Sequence, residues 1–156
     1  MRDKAQKGVE TELAHGARDQ RHLGIDTKVL VAYLDAEHPQ HSKTTGLARV
    51  RVAVNPTVIH EAYHALVFKM GWTPEEAKSV LDDMLASDNV LFLNQTLTVT
   101  RDGLELAVKH SLGGRDALIA ASYLSREVRK VISFDEDLLR IGTIKYGDRV
   151  LTISPP

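Results

Sequence analysis

Short apolar runs alternate with longer segments of helical periodicity from Leu23 to the end of the chain. We expect strands where β-branched and other apolar residues cluster, at 23–26, 50–54, 90–93, 130–134 and 149–153. Between them, apolar residues recur three and four positions apart, which predicts helices after Thr27, at 42–49, from Pro56, from Thr73, after Thr100 and over 117–128. Such alternation favours an α/β fold in which helices cover both faces of a mainly parallel sheet.

The length of 156 residues suits one domain with a core of its own, and no repeat, linker or low-complexity segment divides the chain. Residues 1–22 are polar and lack a sustained apolar period, so we expect a mobile or loosely helical extension before a domain at 23–156. The chain has no cysteine, which excludes disulfides, thiolate metal sites and cysteine nucleophiles.

Charge and hydropathy narrow the choice of partner and compartment. The chain carries 20 Lys and Arg against 21 Asp and Glu, so an overall basic charge cannot attract a nucleic acid, and local basic groups or bound cations would have to do so. Apolar stretches fall well short of the ~20 residues that a bilayer span needs, and the polar N-terminus has no signal-peptide core. We therefore expect a cytoplasmic protein with no membrane partner.

Four acidic residues stand at the ends of successive predicted elements. Asp26 and Asp135 end or follow strands, and the carboxyl ends of parallel strands meet at one edge of a sheet. Asp116 stands at a helix start, where a role as N-cap would explain it alone. Glu61 lies at the edge of the inward stripe of its helix, so it must be paired, in a salt bridge for example, or coordinate something. Together these oxygen ligands suit Mg²⁺ or Mn²⁺ and predict hydrolysis of a phosphodiester.

Four segments resemble the motifs of the PIN domains, and among them the short ribonucleases of the VapC toxin type. The segments are 24–30 (GIDTKVL), 55–61 (NPTVIHE), 111–121 (SLGGRDALIAA) and 131–138 (VISFDEDL), in the family's order. The resemblance implies a three-layer α/β/α sandwich and a metal-dependent endoribonuclease that cleaves RNA with metal-activated water. It implies Asp26, Glu61 and Asp116 as metal ligands and Asp135 as the fourth acid, and Asp137 matches a further acidic position, where a helix or surface charge would explain it equally well. Relatives of this type usually form homodimers, and many are toxins silenced by a co-encoded antitoxin.

Neighbouring residues are candidates for supporting roles. Thr27 or Ser133 can orient a ligand or a water molecule, and Ser133 stands where the family usually has threonine. Lys28 is a candidate for a phosphate contact or a solvent-facing side chain. Arg115 is a candidate for a phosphate contact or a salt bridge.

Other functions were weighed against the nuclease. A PIN fold that binds RNA or a protein without cleaving is the main alternative, which the four retained acids disfavour. A phosphatase with an aspartate nucleophile needs an Asp-x-Asp pair after the first strand, but Lys28 occupies the second position. His60 and His64 have the spacing of a zinc pair, but lie off the inward line, which favours a surface or supporting role.

Overall fold

A computed structural model describes residues 21–156 of the chain and contains one six-stranded sheet. Its strands are β1 (Leu23–Ile25), β2 (Val52–Val54), β3 (Val90–Phe92), β4 (Lys130–Ile132), β5 (Thr143–Tyr146) and β6 (Arg149–Ser154). They lie in the order β3-β2-β1-β4-β6-β5, and every neighbouring pair is parallel except β5 and β6. The predicted mainly parallel sheet is confirmed.

Six helices flank the sheet and confirm the predicted three-layer α/β/α arrangement. They are α1 (Thr27–Leu34), α2 (Pro56–Phe68), α3 (Pro74–Leu85), α4 (Leu97–His110), α5 (Gly114–Ser125) and α6 (Glu136–Ile141). Two helix starts follow from local signals in the sequence. Asn55 caps α2 by accepting from the Val58 N–H at 3.0 Å, with Pro56 at the first helical position. Thr73 and Glu76 form a reciprocal capping box at the start of α3.

Tyr123 fixes α5 against the centre of the sheet. The side chain is fully buried, and its hydroxyl accepts a hydrogen bond from the Ile25 N–H at 3.1 Å. The hydroxyl also lies within hydrogen-bonding distance of the Ile25 and Ala53 carbonyl oxygens. Gly24 lets the ring approach this closely, because a Cβ there would lie 2.9 Å from ring atoms of Tyr123. Strands β1 and β2 and helix α5 are thereby held in one fixed relation.

The structure differs from the predictions in several local elements. The helix predicted at 42–49 is two 3₁₀ turns, His41–Lys43 and Thr45–Arg49, because hydroxyls here bond carbonyl oxygens three residues back, as Thr44 bonds His41 at 2.8 Å. Helix α4 begins at Leu97 rather than after Thr100, since the Thr96 hydroxyl caps it by accepting from the Val99 N–H at 3.2 Å. Helix α6 and strand β5 were not predicted.

The predicted polar extension at 1–22 lies outside the described residues except for its last two positions, and the domain boundary after it stays a prediction. Within residues 21–156, no helix is both long and apolar enough to cross a membrane.

Candidate active site

The carboxyl ends of the two central strands are joined by a hydrogen bond between side chains. Asp26 directly follows β1 and is buried, and its Oδ1 accepts from the Thr27 N–H at 2.7 Å. Ser133 follows β4, is also buried, and donates from its hydroxyl to Asp26 Oδ2 at 2.8 Å. The same hydroxyl oxygen accepts from the Asp135 N–H at 3.0 Å. Ser133 therefore links the backbone at one acid to the carboxylate of another.

Asp135 caps the short helix α6 with one of its carboxylate oxygens. Its Oδ1 accepts from the Asp137 and Leu138 N–H groups, both at 3.0 Å, which orients the side chain at the sheet edge. Within residues 21–156, no group donates a hydrogen bond to Oδ2 of Asp135. One oxygen is thus committed to structure, and the other is free to bind a ligand.

Helix α2 carries Glu61 toward the same edge. Its Oε2 accepts from the Thr27 hydroxyl at 2.7 Å. Its Oε1 is buried and lies 3.3 Å from Nη1 of Arg115, without the geometry of a hydrogen bond. The salt bridge considered for Glu61 and for Arg115 therefore exists, but Arg115 is 81% exposed, so this ion pair contributes little. A buried carboxylate oxygen without a hydrogen bond favours an additional electrophilic partner.

Asp116 is the third residue of α5, and Gly113 occupies the N-cap position, which excludes the N-cap role that was the alternative for Asp116 taken alone. No hydrogen bond to the Asp116 carboxylate occurs among the described residues. Burial raises its pKa to about 6, and the carboxylates of Asp26, Asp135 and Glu61 add to the rise, which the Arg115 guanidinium partly offsets. A carboxylate destabilised in this way is one that a cation would stabilise.

Asp26 experiences the same repulsion. Burial is the main cause that raises its pKa, and the charges of Asp135 and Glu61 add to the effect. The hydrogen bonds from the Ser133 hydroxyl and the Thr27 backbone act in the opposite direction, because they stabilise the charged form. These two donors oppose the rise in the pKa of Asp26 but do not cancel it.

All four acids line one open crevice of about 850 Å³. Thr27, Lys28 and Arg115 line it as well, whereas Ser133 is buried behind Asp26. The lining also includes His38 and Gln40 from the loop after α1, and His64, Lys69 and Met70 at or just after the end of α2. Asp137 lies outside this lining, is 80% exposed, and pairs with Arg140 at 3.3 Å.

The acids of the crevice fit a divalent cation in their chemistry, although their side chains are not gathered around one point. As the side chains stand, no group of three or more His, Asp or Glu residues in the described part of the chain is close enough to hold one ion. The donor chemistry nevertheless fits, because the lining acids supply only oxygen, and because within residues 21–156 neither Oε1 of Glu61 nor the Asp116 carboxylate accepts a hydrogen bond. The charges of Asp26, Asp135 and Glu61 all raise the pKa of Asp116, so the four acids share one electrostatic site.

The chain is an α/β protein with an acidic crevice at the carboxyl ends of a mainly parallel sheet. Comparison with known proteins identifies its family. Residues 24–144 match the model of the PIN domain family, and the chain therefore belongs to the PIN domain family. A search of curated proteins found no match.

Three solved structures share the fold at low sequence identity. VapC20 of Mycobacterium tuberculosis, described as a Sarcin-Ricin loop cleaving toxin, superposes with a TM-score of 0.67 at 19% identity, over 80% of this chain and 98% of its own. VapBC2 of Rickettsia felis, bound to a DNA fragment from its promoter, superposes with a TM-score of 0.61 at 15% identity, over 86% of this chain and 98% of its own. A chain of a toxin-antitoxin complex from Klebsiella pneumoniae superposes with a TM-score of 0.55 at 14% identity, over 74% of this chain and 89% of its own.

Sequence reasoning did not anticipate the second half of the crevice, formed by the end of α2 and the loop after α1. Lys69 lines this half and lies four and seven residues after Ala65 and Ala62, at the helical spacing of the inward stripe of α2, and this spacing was the available signal. His64 was assigned a surface or supporting role, and its side chain is exposed at the wall of the crevice, whereas His60 is exposed elsewhere.

Proposed function

We propose that this protein is an endoribonuclease that depends on Mg²⁺ or Mn²⁺ and hydrolyses RNA phosphodiester bonds with a water molecule as nucleophile. The observation that carries the proposal is that four carboxylates from separate stretches of the chain line one crevice, and that three of them raise the pKa of the fourth, Asp116. Membership of the PIN domain family and the fold shared with the loop-cleaving toxin VapC20 support it.

Asp26, Glu61, Asp116 and Asp135 would hold the metal, directly or through water. A divalent cation there would polarise a phosphoryl oxygen and lower the pKa of bound water. Asp137 faces solvent beside Arg140, so we leave it out of the proposed ligand set.

The remaining polar residues of the crevice position the reacting groups. The Thr27 hydroxyl orients Glu61, and the Ser133 hydroxyl orients Asp26, each through one hydrogen bond. Arg115 and Lys28, which line the crevice beside the acids, are placed to contact the phosphate that is being cleaved. No side-chain nucleophile is required, because the attacking oxygen comes from water.

We further propose that the protein is the toxin of a toxin-antitoxin pair, that it acts in the cytoplasm as a homodimer, and that an antitoxin protein blocks the crevice. The similarity of the fold to the toxin-antitoxin assemblies from R. felis and K. pneumoniae supports this part. A gene for a short antitoxin-like protein next to the gene for this chain would be the expected companion.

Cleavage of a pooled RNA sample tests the catalytic part. We expect cleavage with Mg²⁺ or Mn²⁺ that stops in EDTA and in the Asp116→Asn variant. The matched control is Asp88→Asn, which removes an exposed acid outside the crevice lining and should leave cleavage unchanged. Equal degradation of RNA in EDTA would overturn the metal mechanism. RNA binding without cleavage under any of these conditions would assign the protein to non-catalytic binding modules.

A further inference from the structure

One arm of the crevice lies apart from the proposed metal site and is lined by residues at the end of α2, namely His64, Ala65, Lys69 and Met70. Every acidic residue that lines the crevice is one of the four proposed ligands, so the arm formed by the end of α2 carries no negative charge. Lys69 lines this arm, is exposed, and forms no ion pair within residues 21–156. A positive charge that no protein group neutralises, next to a site for phosphate chemistry, suits a second phosphate.

An exposed aromatic ring stands beside the same arm. Phe68 is 70% exposed at the last residue of α2, and its ring centroid lies 4.9 Å from that of His64, which lines the crevice. Packing of the core does not require a phenylalanine at so exposed a position. Unpaired bases stack on aromatic side chains with little dependence on sequence, and a base stacked on Phe68 would leave its phosphate near Lys69.

We propose that His64, Phe68 and Lys69 form a subsite for one unpaired nucleotide that neighbours the bond to be cleaved. The inference rests on the proposed nuclease function. An α-helix rises about 1.5 Å per residue, so Phe68 lies about 10 Å beyond Glu61 along α2. That separation is suited to a neighbouring nucleotide rather than to the scissile phosphate. In a duplex the bases stay paired and stacked, and none is free to reach the ring.

The role of Phe68 can be tested by comparing one substrate that reaches the subsite with two that do not. The probes are a mixed-sequence single-stranded RNA, the same RNA annealed to its complement, and bis(4-nitrophenyl) phosphate, each with Mn²⁺. Phe68→Ala should raise the KM for single-stranded RNA about 5- to 50-fold, as expected for one lost base stack. It should leave kcat for RNA and the rate on the small diester unchanged, because neither depends on the stack.

Matched variants separate stacking from general apolar contact. Phe68→Trp should keep the low KM, whereas Phe68→Leu should resemble Phe68→Ala, because leucine keeps apolar area but has no π-face. Leu97→Ala is the control, since Leu97 is 68% exposed, about as much as Phe68, but belongs to α4, a helix that contributes no residue to the crevice lining.

The charge of Lys69 has its own readout. Lys69→Gln should lower the slope of log affinity against log salt concentration by about 0.7 for single-stranded RNA, the value for one lost phosphate contact. Lys130→Gln is the control, because Lys130 is exposed at the start of β4, at the opposite edge of the sheet. An unchanged slope in Lys69→Gln contradicts the phosphate contact.

Binding of the same RNA in EDTA separates the failure of this inference from that of the nuclease proposal. If the wild type binds single-stranded RNA through Phe68 but never cleaves it, the nuclease proposal fails and the subsite stands. If Phe68→Ala binds and cleaves single-stranded RNA like the wild type, or affects duplex equally, the subsite is wrong. Unchanged RNA binding would assign the exposed ring to a protein contact instead.

Discussion

Replacing Asp116 with asparagine should stabilise the metal-free protein at neutral and higher pH, although it removes a proposed metal ligand. The pKa of Asp116 is raised from 3.8 to about 6 in the folded chain, mainly by burial and then by the neighbouring carboxylates. A rise of about 2 units corresponds to about 3 kcal/mol of destabilisation of the charged form. Because the side chain is only half-buried, solvent screening reduces this to about 1–2 kcal/mol.

Asparagine loses part of the favourable interaction of a carboxylate with the first turn of α5, about 0.3–1 kcal/mol. The net gain should therefore be about 1 kcal/mol, or about 2–4 °C in Tm for a chain of this size. The sign depends on pH. Between about pH 4 and pH 6 the folded wild type binds more protons than the unfolded chain, so its stability increases as the pH falls through this window. The advantage of the variant should be full above about pH 6 and absent below about pH 4.

Urea denaturation in EDTA at about pH 8, 6 and 4 measures this difference directly. Glu75→Gln is the control, because Glu75 is an exposed acid in the first turn of α3, where neutralisation should destabilise slightly. Adding Mn²⁺ should reverse the order, since a ligand that binds the folded state stabilises it by mass action. The reasoning is refuted if Asp116→Asn is no more stable than the wild type at about pH 8, or if its advantage persists at about pH 4.

Three further outcomes are expected. Tyr123→Phe should lower the free energy of unfolding by about 1–3 kcal/mol, because it leaves the buried Ile25 N–H without its partner, and urea unfolding will measure the loss. Gly24→Ala should cost about 1–3 kcal/mol by overpacking against the Tyr123 ring, so a Tm equal to that of the wild type would contradict the close approach. Ser133→Ala should weaken Mn²⁺ binding more than Ser125→Ala, a control on the far end of α5, because only Ser133 orients a proposed ligand; calorimetric titration will compare them.

The convergence of the acids could be predicted because parallel strands impose it. Asp26 and Asp135 follow strands that are adjacent in the sheet, so strand ends alone place them at one edge. The inward orientation of Glu61 could be predicted from its place at the edge of the apolar stripe of α2, and Val58 and Ala62 of that stripe are fully buried. Its contact with Arg115 could not be predicted, because it joins α2 to the start of α5 across a long separation in sequence.

The parts that sequence reasoning missed are short or depend on tertiary contacts. Helix α6 has six residues, too few for a periodic pattern to emerge. Strand β5 pairs with β6 through a tight turn at Gly147, whose positive φ of 61° was signalled by a Gly-Asp pair that went unused. The half of the crevice beside Phe68 is lined by residues from the end of α2 and from the loop after α1, which only the folded chain brings together.

The order of the strands also has a consequence during synthesis. Strand β4 pairs with β1 on one side and with β6, the last strand, on the other, although β1 and β6 stand at opposite ends of the described chain. A nascent chain that has emerged only as far as α5 holds Asp26, Glu61 and Asp116 but lacks both the strand that carries Asp135 and the hydroxyl that orients Asp26. The acidic site is therefore incomplete until β4 and the residues that follow it have been synthesised.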